Sequence, residues 1–314
     1  MTPILGIIAS GISGNLFSAW GSYFAGGDTT DKIDKLLHSN ETVSLLSATL
    51  ANSASFTATH SNNKNAGYIT AGGSSVVNKI AYITDTRSTT SNIPQSLGRS
   101  YGFANSGQNG YVMGGNQTAI YKHAYSNDAI TTISASFPRS SNERAAASSN
   151  NGVAGYILGG GDNDGSCGSS DVIVKLTFAS DAISTISATL SARKRTAAGL
   201  ANSGVASYCI GGYNNCGLGV GTTIDKLSHT TETRSVLSAT VSSLLLAISC
   251  GASSNNGVAG YIAAGEDGFG GTGAKNQIGK LTFSNDTFSV ISAGTWSSAT
   301  ASQGKSGFAN SQSL

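Results

Sequence analysis

Glycine doublets behind short apolar runs are the residues whose type and spacing most invite a ligand. They stand in "AGYITAGG" ending at Gly73, "NGYVMGG" ending at Gly115, "GYILGG" ending at Gly160 and "ASYCIGG" ending at Gly212. A glycine run after a strand can aim its amide hydrogens at phosphate. A phosphate loop also needs Lys and Ser or Thr directly after its last glycine, and a helix behind. Neither follows these doublets. Their recurrence favours a scaffold role, with glycine allowing positive φ and close strand approach.

Acid–base chemistry needs two carboxylates, or a histidine, held in one pocket. Six of the 16 acids (Glu41, Asp85, Asp128, Asp181, Glu232 and Asp286) recur at one place in a repeated turn. His38 and His229 both sit three residues after a recurring lysine, while His60 and His123 stand alone. No metal site is expected from them. Cys167, Cys209, Cys216 and Cys250 show no CxxC spacing. Cys167 and Cys216 fall in equivalent loops, so a disulfide between them stays open beside four free thiols. "DNDG" (Asp162–Gly165) hints at a calcium turn but lacks the remaining ligand positions. Catalysis, a metal and a cofactor are therefore not expected.

The elements that carry these residues repeat. One aromatic recurs as Tyr23, Tyr68, Tyr111, Tyr156, Tyr208 and Tyr261. A lysine follows each, as Lys35, Lys79, Lys122, Lys175, Lys226 and Lys280. These lysines are expected in a third strand, pairing locally or projecting to solvent. Then comes the acidic turn, and then "LSATL", "ISASF", "ISATL", "LSATV" or "ISAGT"; the second unit departs with "SNIPQSL" (Ser91–Leu97). Each unit thus holds four short β-rich runs. In "KLTFASDAISTISATL" the alternation is expected to bring Leu176, Phe178, Ile183 and Ile186 near one side of a hairpin turned at Ser180–Asp181, whose side chains bond their own backbone.

Four antiparallel strands per period of about 40–50 residues mark a propeller blade. Six tyrosines predict six blades in an all-β chain. "KSGFANSQSL" (Lys305–Leu314) matches "RSYGFANSGQ" (Arg99–Gln108), the first strand of a blade, and the blade of Tyr23 lacks such a strand ahead of it. The two ends are therefore expected to share one blade, which removes an open sheet edge.

Composition agrees with many tight turns in an ordered chain: 41 Gly and 3 Pro among 314 residues, with 39% apolar. Only 11% of residues are charged and the net charge is +2. Neither nucleic acid nor an anionic membrane is implied. Residues 4–17 are apolar but too short for a spanning helix of about 20 residues. No basic residue precedes them, so a secretory signal is not expected either.

The apolar-apolar-Gly-Gly of "GYVMGG" and "GYILGG", with Arg99, Arg144 or Arg195 upstream, resembles the kelch-like β-propellers over residues 18–314. The Trp of that family's last strand is replaced here by the Ser-Ala of "ISATL". "TPILGIIASGISG" (Thr2–Gly14) is similar to an N-terminal segment of many tailed-phage structural proteins. That second resemblance implies an anchoring segment, residues 1–17, with Ile4, Leu5, Ile7, Ile8 and Ile12 buried against other virion proteins, ahead of a propeller domain, residues 18–314. The protein implied is a non-enzymatic virion component, a tail fibre or a capsid or tail decoration, assembled in the host cytoplasm. A glycan-binding propeller outside any virion is the first alternative, and a propeller hydrolase or oxidase the second. The sialidase turn Ser-x-Asp-x-Gly-x-Thr-Trp has no match here, and the four histidines do not suggest a copper-oxidase constellation.

Function on a repeat scaffold sits where the repeats differ. From Tyr to Lys takes eleven or twelve residues in blades 1–3 but eighteen or nineteen in blades 4–6. The three longer loops are Gly160–Asp171, Tyr213–Thr223 and Glu266–Gln277. Asp162, Asp164, Tyr213, Asn214, Glu266, Asp267 and Phe269 suit contact with a host glycan or a neighbouring subunit, a second copy of this chain included. Membrane insertion is not expected.

Overall fold

The computed structural model describes residues 20–27, 30–53, 56–62, 65–70, 72–115, 117–138, 145–161, 168–214, 219–241, 251–265, 275–291 and 306–310. Among these there are strands and turns and no helix. Blade 1 runs β26 (Ser306–Asn310), β1 (Gly21–Ala25), β2 (Ile33–Leu37), β3 (Val43–Leu45). Blade 2 is β4 (Ala58–Asn62), β5 (Ala66–Thr70), β6 (Val77–Ala81), β7 (Thr86–Thr89). Blade 3 is β8 (Ser100–Asn105), β9 (Asn109–Gly114), β10 (Ala119–Ala124), β11 (Ala129–Ser136). Blade 4 is β12 (Ala146–Asn150), β13 (Ala154–Leu158), β14 (Ser170–Thr177), β15 (Ala182–Lys194). Blade 5 is β16 (Ala198–Asn202), β17 (Ala206–Ile210), β20 (Thr223–Ser228), β21 (Arg234–Thr240), with a small hairpin β18 (Tyr213–Asn214) and β19 (Gly219–Val220). Blade 6 is β22 (Gly251–Asn255), β23 (Ala259–Gly265), β24 (Lys275–Thr282), β25 (Thr287–Ile291).

The chain is thus a six-bladed all-β propeller, closed as its repeats predict. β26 pairs antiparallel with β1, setting Phe308 opposite Tyr23 just as Phe103 stands opposite Tyr111 in blade 3. Tyr and Lys of every unit are cross-strand neighbours, as in Tyr23↔Lys35 and Tyr156↔Lys175. Because successive strands reverse, the first-to-second and third-to-fourth turns share one face of the ring, the turn face. Second-to-third loops and blade connectors share the other, the loop face.

The core lies between blades, one apolar cluster to each of the six seams. The pleat decides which seam a residue joins. Leu176, Phe178 and Ile183 pack in the seam between blades 3 and 4, whereas Ile186 packs in the next one. Ile183 and Ile186 are an odd number of residues apart and so face opposite sides of β15, which corrects the expected one-sided grouping.

Seams come in two alternating kinds. The middle of each first strand is Phe308, Phe103 or Leu200 in blades 1, 3 and 5, and His60, Ser148 or Ser253 in blades 2, 4 and 6. A Cβ on Gly67, Gly155 or Gly260 of the following blade would overlap Phe308, Phe103 or Leu200 respectively. Glycine is required there because the neighbouring side chain fills the space. Where the inner residue is serine, the next blade answers with serine: Ser148 Oγ donates to Ser207 at 2.6 Å and Ser253 Oγ to Ser22 at 2.8 Å. The intermediate case is His60, which faces Gly110.

Candidate functional site

The turn face carries the repeated chemistry. In every seam the tyrosine hydroxyl and the lysine ammonium of one blade grip the turn carboxylate of the next. Tyr23 donates to Asp85 at 2.7 Å and Lys35 at 2.8 Å. Tyr68 and Lys79 hold Asp128 at 3.1 and 2.7 Å, and Tyr111 and Lys122 hold Asp181 at 2.7 and 2.8 Å. Tyr156 and Lys175 hold Glu232 at 3.0 and 2.5 Å, and Tyr208 and Lys226 hold Asp286 at 3.0 and 2.6 Å. Tyr261 at 3.1 Å, with Lys280, holds Glu41 and closes the circle. The lysines therefore occupy third strands as expected, but they neither pair locally nor project free into solvent.

Local backbone explains why the carboxylate can reach. All six acids adopt the left-handed conformation, with φ between 51° and 56°. In four turns the residue before the acid makes the turn's own backbone bond instead, as when Asn127 Oδ1 accepts from the Ala129 amide and Ser180 Oγ from the Ala182 amide, while Thr84 and Thr231 bond the hydroxyls of Thr86 and Thr233. That corrects the expectation for Asp181, whose side chain leaves its own turn for the neighbouring blade. Burial and the adjoining carboxylate push the tyrosine hydroxyls well above their usual range, Tyr111 beside Asp181 among them. Burial alone would raise Glu232, but hydrogen bonds from Lys175 and Tyr156 and the charge of Lys175 outweigh it and hold the carboxyl below its ordinary value. These groups are locked as neutral phenols and paired ions, an arrangement suited to joining blades.

The glycine doublets lie at the loop-face ends of second strands. Gly159 and Gly160 have φ of 72° and 107°. Their amides donate to the carbonyls of Val172 at 3.1 Å and Lys194 at 2.8 Å. The hydrogens a phosphate would need are thus spent inside the protein. Nearby, Lys194 and Asp225 form an ion pair of 2.7 Å with side chains only 3% and 1% exposed, the carboxylate also accepting from the amide and hydroxyl of Ser191.

On the loop face, the blade 5 insert contains the hairpin of β18 and β19. Tyr213 is tied to the connector entering blade 5 by two backbone bonds with Arg195, of 3.1 and 2.8 Å. The Arg195 guanidinium lies 5.4 Å from the Tyr213 ring centroid. Asn214 pairs with Gly219 in the same hairpin. Asp162, Asp164, Glu266, Asp267 and Phe269 lie outside the described residues, as do Ile4, Leu5, Ile7, Ile8 and Ile12, and Cys167, Cys216 and Cys250. Cys209 is a buried free thiol.

Two features escaped the sequence. His60 and His123 converge in seam 2–3 with ring centroids 5.2 Å apart, although they belong to different blades. Among the described residues no group of three or more His, Cys, Asp or Glu could hold a metal. An open groove of about 550 Å³ runs between blades 3 and 4 near the turn face, lined by Asn109, Asn127, Thr131, Thr132 and the Lys122–Asp181 pair. Neither position carries a motif, since each is assembled from residues a blade apart.

No family model and no curated protein matches the sequence. Solved structures do: 504 chains match, so the likeness selects a common architecture and no single relative. One, described as the structure of YjhT, superposes with a TM-score of 0.56 at 15% identity, over 67% of this chain and 69% of that one. A likeness at that identity is one of fold, and the fold it shares with this chain is the β-propeller.

Proposed function

We propose that this chain is a non-enzymatic structural or adhesion protein of a phage particle, built on a kelch-like propeller, with its N-terminal segment docked to the particle and its loop face turned outward. The observation that carries the reading is polarity. β1 starts at the turn face, where the Trp20 carbonyl accepts from the His38 amide at 3.1 Å, whereas the long second-to-third loops of blades 4–6 spring from the opposite face. An anchor on the turn face leaves those loops free to meet a host glycan or a neighbouring subunit. The non-enzymatic reading rests on the ring of triads, which engages the repeated tyrosines, lysines and carboxylates between blades.

The test compares particles assembled with the full chain and with a chain lacking residues 1–16. Loss of incorporation supports the anchor, and unchanged incorporation refutes it. Glycan-array binding abolished by replacing the three long loops supports an adhesive loop face. Binding that survives the replacement moves the site elsewhere, and turnover of a glycoside or alcohol by the pure protein overturns the non-enzymatic reading.

A further inference from the structure

Every histidine of the chain sits in one kind of seam. His60 and His123 lie in seam 2–3, His229 in seam 4–5 and His38 in seam 6–1. The intervening seams put Tyr82, Phe178 and Phe283 where His38 and His229 stand, Tyr82 tilted against Tyr23 at 5.2 Å and the two phenylalanines stacked on Tyr111 and Tyr208 at 5.4 and 5.3 Å. His123 replaces an aliphatic residue that is Leu36, Ile80, Leu176, Leu227 or Leu281 in the other blades. We infer that the three histidine seams are an acid-responsive release: as pH falls they loosen first, leaving blades 1–2, 3–4 and 5–6 as three paired units.

Geometry makes these imidazoles poor places for a proton. In seam 4–5 Ser148 donates to Ser207, whose Oγ lies 2.8 Å from His229 Nε2. Nδ1 is buried with no partner among the described residues, so the second N–H of an imidazolium would have no acceptor there. Seam 6–1 repeats the chain as Ser253, Ser22 and His38, with 2.9 Å between the last two and Nδ1 again unpartnered. Blade 4 presents Tyr156 and Lys175 to His229, and blade 6 presents Tyr261 and Lys280 to His38. Glu232 and Glu41 are the carboxylates nearby, and both are already held by those lysines and tyrosines. In seam 2–3, His60 meets His123, Tyr68 and Tyr125, and His123 additionally faces Asp128 at 3.4 Å and Lys79, so two charged imidazoles would oppose each other.

Burial outweighs the glutamates and pushes His38 and His229 down from 6.5 to about 4; it moves His60 and His123 the same way. The stability these neutral histidines allow is complete above pH 6.5 and is lost progressively as pH falls toward 4. An opening that frees one such imidazole is favoured about 30-fold more at pH 5.0 than at pH 7.5.

Three equivalent bonds let one experiment read the two kinds of seam separately. The Gly204 amide donates to Asn150 Oδ1 across histidine seam 4–5 at 3.0 Å. The Gly152 amide does so to Asn105 across seam 3–4 at 3.0 Å, and Gly257 to Asn202 across seam 5–6 at 3.1 Å. Amide hydrogen exchange on the full chain, corrected for intrinsic rates, is measured at pH 7.5 and 5.0. Protection at Gly204 is expected to fall about 30-fold relative to Gly152 and Gly257. Equal changes at all three glycines overturn the inference. Converting seam 4–5 to the composition of seam 5–6, as S148L/S207G/H229F, is expected to abolish the difference, and its persistence would also overturn it. Should that variant not fold, H60F/H123L serves, because Gly110 and Tyr125 already match the Gly67 and Tyr82 that surround Phe308. Its proton uptake on unfolding between pH 7.5 and 5.0 is expected to drop by up to two, and unchanged uptake refutes the assignment.

Discussion

Replacing Asp181 separates three contributions that the turn carboxylates combine. Asp181 accepts from the Tyr111 hydroxyl and pairs with Lys122, and it holds φ at 53°. Side chains of the pair are 25% and 26% exposed, so water partly compensates a lost charge. Asp181→Asn keeps an acceptor for Tyr111 and tolerates the left-handed conformation, losing only the charge, for a cost of about 1–1.5 kcal/mol. Asp181→Gly loses both contacts but relieves the backbone, for a net cost of about 2–3 kcal/mol. Asp181→Ala loses both and keeps the strain, at about 3–4 kcal/mol. The assay is urea unfolding at pH 7.5, followed by fluorescence and circular dichroism and read from midpoints at unchanged slope. The order expected is wild type, Asn, Gly, Ala. Ala as stable as Gly would remove the backbone from the argument. Asn as damaging as Ala would show that the bond to Tyr111 contributes nothing.

Other consequences follow from seams and buried charge. Gly155→Ala drives a Cβ into the Phe103 ring and is expected to cost about 1–3 kcal/mol. F103S/G155S, which copies the Ser148–Ser207 contact, should cost less than the sum of its two single changes, measured as a double-mutant cycle. Lys194→Met leaves the buried Asp225 carboxylate to Ser191 and to the Arg234 guanidinium at 3.8 Å and is expected to cost about 3 kcal/mol by urea unfolding, with K194M/D225L recovering most of it. Burial pushes the Cys209 thiol up to about 12. A thiol reagent at pH 8 should leave Cys209 unmodified in the native ring and label it after unfolding, as read by peptide mass.

The blade count, the strand order and the sharing of blade 1 by both ends were legible because each depends on residues that recur. Tyr, Lys and the turn acid keep their types in all six units, and "GFAN" of Phe103 returns at Phe308. What binds what was not legible. Lys35 is 50 residues from Asp85, one full unit along the chain, so reading within a unit gives each lysine a local partner and misses the real one. The left-handed acid was equally hidden: a turn predicts a residue that bonds its own backbone, and here Asn127 or Ser180 does that while the acid beside it reaches across. Of the loop-face candidates, only Tyr213 and Asn214 fall within the described residues, and the hairpin that holds them carries no repeat signal.

The alternation of seams was missed for a different reason. A single-blade period treats Gly67, Gly110, Gly155 and Gly260 as the rule and Ser22 and Ser207 as noise. Each glycine is instead the answer to a bulky residue in the previous blade, and each serine the answer to a serine there. Once Ser148 and Ser253 replace a ring or a leucine, the partner position can carry a side chain, and the aromatic beside it becomes an imidazole that the serine hydroxyl can bond. The same two turns carry glutamate where the others carry aspartate, Glu41 with His38 and Glu232 with His229. In seams 4–5 and 6–1 four positions in two blades therefore change together, while seam 2–3 changes at His60 and His123 and keeps Gly110, Tyr125 and Asp128, so the physical unit of this ring is a pair of blades with one of the three departing from the other two. The long loops do not respect that unit, falling on three consecutive blades. Ring closure and the loop face are thus set by independent parts of the sequence, which lets the loops vary without disturbing the triads on the opposite face.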